Sequence, residues 1–312
     1  MGEAAATGRG QAPPRSDTIS LAVVAAHILA VWAPIFLAAA TSISWLTILL
    51  WLWFGLLQHG LTNLMHEAAH RHVFKRASWN EFLGFWILGP FFLADFSLYR
   101  SRHWVHHREL GTADDTKSTY LISLRGREGL AFMLRAMIGL EALKKFFQPM
   151  QQRAAVEKTE GRSGPPPLAT LLVFHMVFAG CVALLAYVVA HGDLWQAVLR
   201  FCAAYGFVYL YGMASLTILM ATARAIAEHQ WLPDERTGGA AALRNLRAGP
   251  AGRLLFGCYG FADHATHHRF PMVPSYHLPE LTARLAQSEP LYALRESYWS
   301  ALARLTSKEG SR

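Results

Sequence analysis

The sequence predicts an all-α integral membrane protein, with four transmembrane helices and a cytoplasmic helical cap holding a histidine-rich metal site. Three observations lead there: apolar runs of membrane-spanning length, basic residues gathered on one side of those runs, and histidines recurring at helical spacing near their ends. The chain has 312 residues, of which 53% are hydrophobic and 16% charged, whereas soluble domains carry about 25% charged residues. Three cysteines, Cys181, Cys202 and Cys258, are too few for a disulfide framework and lack metal-binding spacing. The net charge of +8 is not concentrated in one dense patch, so the basic residues read as topology markers and not as a nucleic-acid footprint.

Residues 1–18, rich in Gly, Ala and Pro, read as a flexible leader before a single domain over 19–312. The run 19–41 is apolar apart from His27 and Pro34. It is too long for the hydrophobic region of a signal peptide, and a second run, 43–64, follows almost at once. Runs 168–190 and 201–221 complete the set. Each is long enough as a helix to cross a hydrocarbon core of about 30 Å. Segment 82–98 is shorter and holds Pro90 and Asp95, so it reads as re-entrant or interfacial. Segment 130–150 places apolar residues at helical spacing among Arg135, Lys144 and Lys145, which suits an amphipathic helix lying on the membrane surface. The Pro-rich stretch 161–167 then breaks the chain before the third span.

Four spans put both termini and the cap segments 65–167 and 222–312 on one side. Of the 29 Lys and Arg residues, 15 fall in the first cap segment, 11 in the second and 2 in the leader. The positive-inside rule assigns that side to the cytoplasm, here of a bacterial inner membrane.

Fifteen histidines are the anomaly. His66 and His70 flank Glu67 in "HEAAH", the spacing of a zinc protease. Two triplets follow, His103, His106 and His107 in "HWVHH", and His264, His267 and His268 in "HATHH"; His229 stands alone in "RAIAEHQ". On a helix, positions i, i+3 and i+4 share a face, so such imidazoles can converge on a metal. Nine are too many for one zinc, which takes four ligands, and about right for two five- or six-coordinate ions. Imidazole suits iron, copper, zinc and nickel alike, so ligand type alone does not name the metal. Glu67, Glu109, Asp114, Asp115, Glu228 and Asp263 sit beside these histidines and are candidates to orient them; Glu228 also lies an ion-pair distance along the helix from Arg224. His59 and Asn63 share a helical stripe with His66 and His70 and are candidates to line a substrate channel. The aromatic runs "WLWF" (51–54) and "YGFVYLYG" (205–212) are further channel candidates.

The motifs HEAAHRHVF, SRHWVHHRELGTADD, RAIAEHQ and HATHHRFPMVPSYHLPEL, in this order around four spans, resemble the membrane fatty acid desaturases, a histidine-box di-iron superfamily that also contains hydroxylases. The resemblance covers most of the chain. It implies that His66, His70, His103, His106, His107, His229, His264, His267 and His268 ligate two iron ions. It also implies O2 as co-substrate and an external electron donor. The first box, HxxxH, lacks the extra residue of the animal acyl-CoA branch, which favours an acyl-lipid, acyl-carrier-protein or free fatty acid substrate. No cytochrome-b5-like domain is visible, so electrons are expected from a separate ferredoxin or cytochrome. Arg100, Arg102, Arg108 and Lys117 would offer an acidic donor or anionic head group a basic face.

The expected function is therefore O2-dependent desaturation of an acyl chain. The first alternative is a hydroxylase on the same scaffold. A zinc metalloprotease using only the first box leaves most of the histidines unexplained, and a metal carrier or sensor would consume no oxygen.

Overall fold

The computed structural model describes residues 16–112, 114–116, 126–146, 164–229 and 243–306. Most of the leader, Lys117, and parts of the 130–150 and 161–167 segments lie outside the described residues.

Helix α1 spans Asp17–Ala40, starting where the Ser16 side chain accepts a hydrogen bond from the Ile19 amide, so Asp17 and Thr18 belong to the helix and not to the leader. Helix α2, Trp45–Ala69, opens on a capping box between Ser44 and Thr47. It outruns the expected end at 64 because its last turn, Met65–Ala69, is buried against protein; an apolar count stops where polar residues start, whereas a helix does not. Among the described residues, four helices are long and apolar enough to cross a membrane: α1, α2, α7 (Pro167–Val189) and α8 (Leu194–His229).

The tight link before α8 turns through left-handed His191 and Gly192, with φ 52° and 84°. Asp193 then caps α8 by accepting from the Gln196 amide at 3.0 Å, seven residues ahead of the expected start. Much of its middle is wound as π-helix, over Cys202–Tyr211 and Met213–Thr217. At 36 residues the helix is about 54 Å long, well beyond a hydrocarbon core of about 30 Å. Its C-terminal turns therefore project past the other spans and carry His229 out to the cap.

Burial separates inner from outer helices. The apolar stretches of α2 and α8 are 50% buried, those of α1 and α7 only 28% and 22%. Leu29, Leu168 and Met176 stand exposed, as lipid-facing side chains do. The aromatic runs expected to line a channel instead fill the α2–α8 contact: Trp51 stacks on Tyr211 with centroids 5.8 Å apart, and Phe54, fully buried, meets Tyr209 edge-on.

Helix α3 (Ala77–Phe91) and helix α4 (Phe96–Arg108) meet at a bend of 102°, turned at left-handed Leu93 and restarted by Asp95, which accepts from the Ser97 and Leu98 amides. A straight helix over 77–108 would separate its ends by about 48 Å. Instead the chain leaves α2 at His70 and returns with His103 Nε2 only 2.7 Å from His70 Nε2, as a re-entrant segment requires. The amphipathic segment is two helices, α5 (Gly126–Met137) and α6 (Leu140–Phe146), broken at left-handed Gly139. Leu130, Leu134, Ile138 and Leu143 on it are exposed.

The C-terminal segment holds α9 (Pro250–Leu255), α10 (His264–Arg269), α11 (Leu278–Ser288) and α12 (Tyr298–Thr306). Among the described residues it departs from an all-α fold in one place: strands β1 (Asn245–Arg247) and β2 (Leu294–Ser297) pair in parallel, Asn245 opposite Leu294 and Arg247 opposite Ser297. Four residues or fewer with no alternation leave no strand signal in the sequence.

Gly55 brings α2 against α8: a Cβ there would lie 2.1–2.8 Å from the Leu216 side chain. Gly55→Ala is expected to push the inner helices apart at a cost of about 1–3 kcal/mol, read as a lower thermal unfolding midpoint of the detergent-solubilised protein.

Candidate metal centre

Three helix ends and one short helix deliver the histidines. The last turns of α2 carry His66 and His70, α4 carries His103, His106 and His107, α8 ends on His229, and α10 carries His264, His267 and His268. All nine predicted residues come together. Seven are buried, while His107 and His268 are partly so.

The nine imidazoles form two adjoining groups. In the first, one ring nitrogen from each of His66, His70, His103, His107 and His267 lies within 4.8 Å of all the others. Within it, His107 Nε2 is 3.0 Å from His103 Nε2 and 3.2 Å from His267 Nε2. The second contains His106, His229 and His268, with His264 joined through His229 at 3.1 Å between Nε2 atoms. The groups touch where the His107 and His268 rings pack 4.3 Å apart. Each triplet is split. His103 and His107 serve the first group and His106 the second, whereas His264 and His268 serve the second and His267 the first.

Carboxylates and a carbonyl fix the rings from behind. His66 Nδ1 is 3.1 Å from Glu67 Oε1, while Glu67 Oε2 accepts from the Ser275 amide at 3.3 Å. His106 Nδ1 lies 2.8 Å from Asp115 Oδ1, both side chains inaccessible to solvent, and Asp115 Oδ2 accepts from the Gly111 amide. His229 Nδ1 is 3.0 Å from the Ala225 carbonyl, which can only accept. In each case the proton belongs on Nδ1 and the Nε2 lone pair faces the group. Glu228 stands 3.8 Å from His264 Nδ1, accepts from the Tyr298 hydroxyl at 2.8 Å, and has Arg224 at 3.7 Å.

The other acidic candidates are engaged elsewhere. Glu109 pairs with Arg108 at the surface, exposed Asp114 donates its backbone amide to Thr112 Oγ1, and Asp263 bonds Thr282. Asn63 is a tie and not a channel wall. Its amide donates to the Phe256 and Cys258 carbonyls at 2.9 and 3.2 Å, and its oxygen accepts from Arg224 at 3.0 Å. His59 is fully buried beside Thr62 and Phe256. Of the expected basic face, Arg100 pairs with Glu81 and lies over Phe85 and Phe96, and Arg102 donates to the Thr116 carbonyl.

Sequence reading missed Asn245, Tyr298 and Ser275. Asn245, fully buried on β1, donates to Thr266 Oγ1 and the Tyr292 carbonyl and accepts from the Thr266 amide, so it sets the position of α10. Ser275 lies within the quoted stretch 264–281 but away from its histidine spacing, and no pattern in the sequence singles out Asn245 or Tyr298. His72 stacks 5.4 Å from His70 with Nδ1 4.0 Å from Glu67. Burial pushes its pKa down to about 4, against a hydrogen bond with the Met272 backbone.

The donor set fits metal ions on the structure's own terms. Neither ring nitrogen of His268 has a hydrogen-bond partner among the described residues, though both are buried. Leaving a buried donor and acceptor unmet costs about 1–3 kcal/mol each. Burial and the facing His264, His107, His106 and His229 hold this imidazole well below its ordinary pKa. It stays neutral near pH 7, the form that binds metal. Five imidazoles in one group exceed a tetrahedral zinc shell.

A sequence profile for fatty acid desaturases matches residues 43–300. The chain belongs to the fatty acid desaturase family. Within that family it is 24% identical over 297 residues to dihydrorhizobitoxine desaturase of Bradyrhizobium elkanii, covering 92% of this chain and 81% of the relative. It is also 25% identical over 287 residues to zeaxanthin 4-ketolase of Chlamydomonas reinhardtii, covering 86% of this chain and 54% of that one. Family membership removes the metalloprotease reading of HEAAH. In this desaturase-family chain Glu67 faces His66 Nδ1 and the Ser275 amide.

Tyr298 is completely buried, and its hydroxyl donates to a buried carboxylate. Tyr298→Phe is expected to destabilise the protein by about 1.5–3 kcal/mol, the range for a hydrogen bond to a charged group, measured by denaturant unfolding in detergent.

Proposed function

We propose that the protein is an O2-dependent membrane desaturase that introduces a double bond into an acyl chain at a di-iron centre. The observation that carries this reading is the pair of adjoining imidazole groups, five and four rings, at the shared end of α2 and α8 in a chain of this family. His66, His70, His103, His107 and His267 would hold one ion; His106, His229, His264 and His268 would hold the other, with Glu228 beside them. Iron, when bound, supplies the reduction of O2 and the removal of hydrogen from an unactivated methylene, chemistry no side chain performs.

The chain's own residues do the rest. Glu67, Asp115 and the Ala225 carbonyl keep the Nδ1 protons of His66, His106 and His229 in place, so their Nε2 atoms stay basic and aimed. Burial keeps bulk water from the reacting carbon and favours neutral, ligand-ready imidazoles. The basic bias of the cap segments supports a cytoplasmic site in a bacterial inner membrane, fed by a separate ferredoxin or cytochrome. The substrate would be an acyl lipid, an acyl-carrier-protein ester or a free fatty acid.

A ketolase among the relatives favours a second reading, oxygen insertion into a C–H bond by the same ligand set. Lipid mass spectrometry of cells with and without the chain separates the two. Loss of two hydrogens from an acyl chain is expected; gain of an oxygen atom would make it a hydroxylase. No change in lipids, together with no oxygen uptake on adding reductant, would point to a metal carrier.

Iron content supplies a second check. The purified protein is expected to hold two iron ions per chain, with His106→Ala and His264→Ala each losing iron and activity. Asp115→Ala should weaken iron binding about 10–100-fold, measured by chelator competition. Full activity in both histidine variants would refute the di-iron reading.

A further inference from the structure

One basic residue stands apart from all the others. Of the 29 Lys and Arg residues, Arg200 alone falls outside the leader and the two cap segments. It lies in the first turns of α8, at the end of the bundle opposite the imidazoles, where α2 also begins. Trp45, Leu194 and Trp195 at these helix starts are 72%, 70% and 67% exposed. Exposed tryptophans at helix ends mark a membrane–water interface. From the Asp193 cap, seven residues of helix place the Arg200 Cα about 10 Å further in. An ionisable side chain inside a span is kept where it has a partner to meet.

The described residues supply no such partner. Arg200 Nε and Nη1 are both buried, and neither has a hydrogen-bond partner among those residues. Asp193 is the only Asp or Glu in 19–64 and 168–221, and its carboxylate accepts from the Gln196 amide to cap α8. A buried lysine can shed its proton, but a guanidinium in a protein cannot. Arg200 is therefore a permanent cation with two unmet donors. Helical side chains lean toward the N-terminus of their helix, so the guanidinium is carried back toward the interface. The surroundings divide in two. Ala197, one turn earlier, is buried, whereas Leu194, Val198 and Gln196 are exposed.

We propose that Arg200 binds the phosphodiester of an anionic phospholipid at the end of the bundle opposite the metal centre. A guanidinium presents paired N–H groups that match two oxygens of one phosphate. The N-terminus of α8 adds partial positive charge on the same side. Exposed Leu194 and Val198 give the acyl chains of that lipid an apolar wall, which a free inorganic anion would not use. Gln196 offers a headgroup hydroxyl a donor and an acceptor. A zwitterionic headgroup brings its own cation, so an anionic one complements the unpaired arginine better. The site is for binding and stands independently of the metal centre and of the reaction.

Native mass spectrometry of the full-length protein in detergent, titrated with phosphatidylglycerol, phosphatidylcholine or inorganic phosphate, tests this. The wild type is expected to retain one more phosphatidylglycerol per chain than Arg200→Gln. Phosphatidylcholine and inorganic phosphate should bind both alike. Arg284→Gln removes the same charge from an exposed position in the cap and so controls for general attraction between a basic protein and anionic lipid. One basic residue contributes about fivefold to that attraction. The loss of phosphatidylglycerol affinity in Arg200→Gln should exceed this, and the loss in Arg284→Gln should not. Equal affinity in wild type and Arg200→Gln would overturn the proposal, as would phosphatidylcholine held as tightly as phosphatidylglycerol. Loss of a dimer in Arg200→Gln with lipid binding unchanged would assign the contact to a second copy of the chain and overturn it too. Should Arg200→Gln not fold, Arg200→Lys carries the test. It keeps the charge and loses the paired donors, so wild-type phosphatidylglycerol affinity there would refute the site.

Discussion

Nine imidazoles are packed at one end of a helical bundle, and most of the molecule is arranged around that requirement. Buried imidazole is costly unless each nitrogen finds a partner, and protonating several at once would set like charges within a few ångströms of one another. The chain meets the demand from behind, with Glu67 on His66, Asp115 on His106 and a helix carbonyl on His229. The facing nitrogens are then left to converge on shared points. His268, whose two ring nitrogens are buried and without hydrogen-bond partners among the described residues, is the place where protein atoms alone leave the account open.

The helices serve that packing by their lengths. α2 carries its first histidine pair a turn past its apolar stretch, and α8 overshoots the thickness of a bilayer to deliver His229. The 102° bend between α3 and α4 returns the chain to the end it left. The C-terminal segment is then clamped onto the inner helices by polar ties. Asn63 reaches the backbone at 256–258, Tyr298 reaches Glu228, and Asn245 holds α10. These contacts join residues up to about two hundred positions apart, so a change in the small C-terminal helices is felt at the ends of α2 and α8.

The division of labour between α1 and the cap follows the same logic. α1 is the most N-terminal span and mostly lipid-facing, yet His27 on it reaches the left-handed Tyr259 beside the imidazoles. Gly60 and Gly260 give up side chains to permit that contact. A span that looks like a passive anchor is thereby tied to the segment that leads into α10.

Much was legible in the sequence because it depends on local periodicity. Runs of about twenty apolar residues announce helices of spanning length, and histidines at i, i+3 and i+4 announce convergent faces, so the four spans and all nine histidines could be named before any fold was known. Asp115 and Glu67 could be named as partners because they lie near in sequence, although Glu109 and Asp114, equally near, point elsewhere. What periodicity could not reveal was the partition. His103 and His107 join one group and His106 the other, while in the second triplet the assignment is reversed. That choice depends on how α4 and α10 are rotated against each other. The rotation is set by long-range contacts such as Asn245 to Thr266 and by the bend at Leu93. The α2–α8 aromatic packing, the β1–β2 ladder and the strained Tyr259 are of the same kind. Each is decided by which surfaces meet in three dimensions, and no local pattern along the chain encodes that meeting.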